Sequence, residues 1–123
     1  MALILKARLM ATCLLVFIPV HVLAQNDGRH KDLLIQALRS SASGNCPATI
    51  MSPMLQDACE RQMPNMANSL RQLGSIKSAA YRGEQQSANG LAEVYRVTFE
   101  RGTMTWMINT GQDGKIFVLW SGG

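Results

Sequence analysis

Histidine, aromatic residues and charge are all scarce in this chain. Of its 123 residues two are His, 6% are Phe, Trp or Tyr, and 16% are Asp, Glu, Lys or Arg. His21 falls within an apolar leader, so His30 is the one histidine left to the body of the chain. Zinc sites built on two or three histidines are therefore out of reach within one chain. A Ser-His-Asp triad would have to use His30, whose polar surroundings (residues 26–32) read as solvated surface. There is no G-x-S-x-G, Walker A, G-x-G-x-x-G or EF-hand pattern, so no cofactor and no metal is implied. The 12 basic and 8 acidic side chains give a net charge of +4 without any Lys/Arg cluster, which is not a nucleic-acid footprint. With 47% hydrophobic residues the chain is nonetheless too apolar to be disordered, and its length allows one domain.

The first 24 residues read as a cleaved signal peptide. Lys6 and Arg8 precede an apolar run at residues 9–18, Pro19 breaks it, and Val22-Leu23-Ala24 sets small residues at a cleavage site after Ala24. The run is shorter than the roughly 20 residues of a membrane-spanning helix, so no stable membrane insertion is expected after cleavage. Thr12 before Cys13, and the lack of Cys in Leu23-Ala24-Gln25, depart from a lipobox; an uncleaved anchor or a lipidated form is the alternative. Cleavage would remove two basic and no acidic residues, taking the net charge from +4 to +2. It also leaves Cys46 and Cys59, most simply a disulfide in an oxidising exported compartment, worth about 3 kcal/mol by loop-closure entropy. A redox or metal thiol pair would want C-x-x-C spacing. The protein is expected to be periplasmic or secreted.

From Gln25 to the end the chain reads as a single α+β domain, helices first. Leu34, Ala37 and Leu38 predict a helix over residues 31–39, capped by Asn26 or Asp27, with a loop over 40–47. Ser52-Pro53 is a helix start. Leu55, Cys59, Met63, Met66, Leu70 and Leu73 then form one apolar stripe that keeps phase across Pro64, predicting a second helix kinked there, or two short collinear ones, ended by Gly74.

Beyond Gly74 the period becomes two. Residues 76–82, 91–100, 103–110 and 115–120 predict a curled four-stranded antiparallel meander on which the helices pack. An Arg101-Gly102 turn pairs Phe99 with Met104, Val97 with Trp106 and Tyr95 with Ile108 on one face, leaving Val94, Arg96, Thr98, Thr105, Met107 and Asn109 on the other. For the turn at Gln112-Asp113-Gly114, a three-residue loop with a glycine bulge would turn Val118 and Trp120 inward beside Trp106. A two- or four-residue loop would turn Phe117 and Leu119 inward instead. The first is preferred, since it makes Tyr95, Phe99, Trp106 and Trp120 the pocket or core aromatics.

Leu73-Gly74-Ser75-Ile76-Lys77-Ser78, Val94-Tyr95-Arg96-Val97-Thr98-Phe99, Trp106 and Asp113-Gly114-Lys115-Ile116 together resemble the nuclear-transport-factor-two-like, SnoaL-like (cystatin-like) superfamily. The resemblance covers residues 52–120 and is similar to small domains associated with exported bacterial β-lactamase-like serine hydrolases. It implies helices and sheet forming a cone around an apolar pocket, sometimes with an acid/base carboxylate. No motif here marks an Asp as such a base. Strand parity makes Glu93 the weak candidate, with Tyr95 or Tyr81 as hydrogen-bond donors.

Two functions stay open. One is an exported non-catalytic binding or accessory domain for a protein or an apolar small ligand, meeting it with the polar sheet face or the loop at residues 83–90; a homodimer through the sheet is a further possibility. A variant resembles the β-lactamase inhibitor proteins, whose open sheet face grips an enzyme, and it requires aromatic anchors on that face. The alternative is a small isomerase- or lyase-type pocket enzyme using Glu93, Tyr95 and Tyr81.

Overall fold

The computed structural model describes residues 28–87 and 90–122. The expected signal peptide with cleavage after Ala24, and the predicted caps Asn26 and Asp27, lie outside the described residues. The helices are α1 (Lys31–Ala42), α2 (Pro53–Gln62) and α3 (Asn65–Leu73), followed by β1 (Ile76–Ser87), β2 (Gly90–Phe99), β3 (Gly102–Thr110) and β4 (Ile116–Gly122). The strands form one antiparallel sheet in the order β1-β2-β3-β4, so the domain is α+β.

Helix α1 buries Leu34, Ala37, Leu38 and Ser41, one face at three- and four-residue spacing, and runs three residues past its predicted end at residue 39. At α2, Ser52 Oγ accepts from the Leu55 amide at 3.2 Å, and Pro53 occupies the first turn, where its missing N–H costs nothing. The apolar stripe continues into α3, but as two helices. Met63 is extended (ψ 145°), the Met63–Pro64 bond is cis, and Pro64 has no N–H with which to continue the ladder. The Cys46–Cys59 disulfide ties the α1–α2 connection to α2 and is consistent with an oxidising compartment. Within that connection Met51 pairs in parallel with Ile116, through Ile116 N–H to Ile50 O and Ser52 N–H to Ile116 O, both 2.8 Å.

The sheet corrects the sequence reading in three places. First, residues 83–87 and 90 pair as strand rather than forming an open loop. Gly83 (φ 111°) sits at a bulge in β1, and the ladder continues to Ser87 opposite Gly90. Second, β2 and β3 pair two residues away from the expected register: Phe99 faces Gly102, Val97 faces Met104, Tyr95 faces Trp106 and Glu93 faces Ile108. The turn is Glu100-Arg101 because it docks on the end of α3. Arg101 donates from its backbone to Leu73 O (2.9 Å) and from its guanidinium to Gln72 O (2.6 Å) and Arg71 O (3.3 Å), meeting carbonyls that a helix end leaves unpaired. Gly102 serves that approach: a Cβ there would lie 2.9 Å from Leu73 Cδ2.

Third, β4 pairs in the opposite parity to the preferred one. Leu119 faces Ile108, Trp120 faces Met107 and Ser121 faces Trp106, with the bulge at Asn109/Thr110. Trp120 therefore leaves the expected core and is 60% exposed, whereas Tyr95, Phe99 and Trp106 are buried with Leu34, Leu38, Val97, Ile108 and Ile116 between helices and sheet.

Candidate functional site

Glu93 lies on the helix-facing side of β2 and is 4% exposed. Its donors come mostly from the chain's own backbone just before α1. Arg29 N–H donates to Oε1 (3.0 Å) and Oε2 (2.9 Å), and His30 N–H donates to Oε1 (2.9 Å). The Tyr95 hydroxyl donates to Oε1 (3.2 Å) and accepts from His30 N–H (3.2 Å). His30 is the N-cap of α1, so the carboxylate sits where the helix dipole favours negative charge. His30 is thus not the solvated histidine expected from the sequence: its side chain is 16% exposed and its Nε2 lies 3.7 Å from Glu93 Oε1.

Tyr81 packs edge-on against Tyr95, with ring centroids 5.7 Å apart and planes at 65°. The three residues singled out as weak catalytic candidates therefore do meet in space. Burial, with Glu93 adding to it, pushes the Tyr95 hydroxyl well above the ordinary tyrosine range. Burial and the Glu84 and Glu93 charges raise Tyr81 as well. Both phenols stay protonated donors at neutral pH. The space beside them is filled by residues 28–30. A Cβ on Gly28 (φ 74°) would collide with the Tyr95 hydroxyl and crowd the Tyr81 ring, so only glycine lets the backbone lie there. This strap is not legible in the sequence, where its one visible signal is a glycine just ahead of the first helix.

The open face of the sheet has a different character. Val94, Met107 and Trp120 stand side by side across β2, β3 and β4, an apolar row flanked by exposed Arg96 and Thr105. Met107 is buried although it stands apart from the main core cluster. The Trp120 ring lies along its strand over Gly122, where a Cβ would sit 3.0 Å from Trp120 Cζ3.

Several concavities border the helical layer. A groove of about 620 Å³ between the ends of α1 and α3 is floored by Leu38, Leu70, Ile76 and Phe99 and rimmed by Arg39 and Arg101. A second, of about 610 Å³, runs between the α2–α3 pair and the β3–β4 edge along Met66, Met104, Trp106 and Leu119. Behind it a chamber of about 70 Å³ is bounded by Ser41, Met51, Cys59, Met66, Trp106 and Leu119. Among the described residues no group of three or more His, Cys, Asp or Glu is placed to hold a metal ion, and no helix is long and apolar enough to cross a membrane. Compared with known proteins, the chain matches no family model, no curated protein and no solved structure.

Proposed function

We propose that the protein is an exported, non-catalytic accessory domain that docks a protein partner on the open face of its sheet. The observation that carries this reading is Trp120, 60% exposed at the end of the Val94–Met107–Trp120 row. Exposed tryptophans backed by buried apolar neighbours and rimmed by polar residues are the usual anchors of protein interfaces. Glu93 supports the same reading from the other side of the sheet. A general base must reach a substrate proton, and this carboxylate is committed to Arg29, His30 and Tyr95. The disulfide and the leader sequence favour a periplasmic or secreted setting. The resemblance to nuclear-transport-factor-two-like domains names exported β-lactamase-like hydrolases as the first partner class to try.

The test is photocrosslinking from position 120 in the exported fraction of the host, compared with position 54. Met54 is even more exposed, at 82%, but lies on α2 rather than on the sheet. A discrete adduct is expected from position 120 and not from position 54. Trp120→Ala should weaken the captured complex at least about 30-fold, and Met54→Ala should leave it unchanged. A partner held equally by wild type and Trp120→Ala would overturn the proposal.

A further inference from the structure

We infer that the partner segment on the open face carries a carboxylate, an Asp or Glu side chain, that seats on Arg96 while an apolar residue of the same segment packs against Trp120. The inference rests on the open-face reading and adds to it the charge of the partner. Arg96 stands on β2, an inner strand, yet it is exposed and makes no hydrogen bond or ion pair among the described residues. Its cross-strand neighbours are Ala80 and Thr105, and Val94 and Thr98 precede and follow it on the same face. None of the four is charged, although an acidic residue at either cross-strand position would complement it. The two acidic residues of the strands, Glu84 and Glu93, pair with each other on the opposite side of the sheet. The complement to Arg96 therefore has to come from outside the face.

Relief and spacing narrow the occupant further. Ser78, Ala80, Thr98, Thr103, Thr105 and Gly122 give this part of the face small side chains, and Arg96 and Trp120 rise above them. Arg and Trp are also the residue types that most often anchor protein interfaces. Thr105 pairs with both Arg96 and Gly122, and Trp120 is two residues from Gly122. The two side chains thus start two strands and two residues apart, roughly 12 Å. One helical turn, about 5.4 Å, is too short to bridge them; about four residues of extended chain or two helical turns match. A single guanidinium suits a single carboxylate, which it can grip with two parallel hydrogen bonds. A nucleic acid or an anionic lipid surface calls for several cations.

The probe is a random dodecapeptide phage library panned on the intact, oxidised protein, each selected clone being re-tested on Trp120→Ala. Clones lost on Trp120→Ala report the open face. They are expected to carry an Asp or Glu about four or about seven residues from an apolar or aromatic residue. For a synthetic peptide from such a clone, Arg96→Gln should weaken binding at least about tenfold, and Arg96→Lys, which keeps the charge but not the fork, by less. Replacing the peptide's acid by its amide should weaken binding to the wild type as much, and change nothing further on Arg96→Gln. Raising NaCl from about 50 to about 500 mM should weaken the wild type more than Arg96→Gln. Trp120-dependent peptides that lack an acid, or that Arg96→Gln holds as tightly as the wild type, would overturn the inference and leave the open-face reading standing. No Trp120-dependent clone at all would overturn both.

Discussion

A carboxylate all but sealed from water has to be matched by donors, and Glu93 is matched by the backbone that leads into α1. The arrangement acts as a pin: one side chain from β2 fixes where the first helix begins, and the Tyr95 hydroxyl, held in its protonated form by burial, bridges the two. Glu93→Gln keeps the volume but sets an N–H₂ donor where Arg29 N–H now finds an acceptor, and is expected to cost about 1–2 kcal/mol. Tyr95→Phe removes a group that both donates to Glu93 and accepts from His30, and is expected to cost about as much. Because both act on one network, the double variant should cost at least about 0.5 kcal/mol less than the two singles together. Urea unfolding of the four proteins reads this directly, and simple additivity would mean that the two side chains hold the strap independently.

At the scale of elements, the Glu100-Arg101 turn is a clasp between the sheet and the end of α3. Glu100 completes it, accepting from the Ser75 backbone at 3.1 Å, and hydrogen bonds from Ser75 with help from Arg101 and Lys77 hold its carboxyl below the ordinary value of 4.5. A carboxyl depressed in the folded state stabilises above its unfolded value and loses that contribution as pH falls through its folded one. Part of the acid destabilisation below about pH 4.5 should therefore belong to Glu100, and Glu100→Gln should flatten that limb of a urea-midpoint curve between pH 7 and pH 3; superimposable curves would remove Glu100 from the clasp. The clasp also explains what could be read from the sequence and what could not. The alternation Glu93-Tyr95-Val97-Phe99 survives a register shift of two because strand period is two, so the helix-facing residues of β2 and β3 were legible although their partners were not. Gly102 looked like turn glycine, but its use is the close approach of Leu73, a tertiary fact. At β4 a single bulge decided parity; the spacing of Gln112, Asp113 and Gly114 permits either outcome, and Trp120 changed sides with it. Of the site around Glu93, its inward parity could be read, but not the strap of residues 28–30 that meets it from 63 and 64 residues away.

The molecule as a whole is a small domain, so a covalent staple carries a large share of its stability. The Cys46–Cys59 bridge closes a loop with a sequence separation of 13, and within that loop residues 50–52 are hydrogen-bonded to the start of β4. The bridge thus acts twice. It limits the unfolded chain, which by loop-closure entropy is worth about 3 kcal/mol, and it holds in place a segment that covers the free edge of β4 at Ile116. Reduction, or a Cys46→Ser, Cys59→Ser double variant, is expected to lower urea-derived stability by about 3 kcal/mol. In native-state hydrogen exchange, the amides of Ser52 and Ile116 should then open ahead of those of Tyr95 and Val97 in the centre of the sheet. The two contributions separate in that experiment. A loss of protection equal at all four amides would mean that the bridge works through the unfolded chain alone; an early loss at Ser52 and Ile116 would show that it also holds the α1–α2 connection against the sheet, and with it the wall of the chamber to which Met51 and Cys59 both belong.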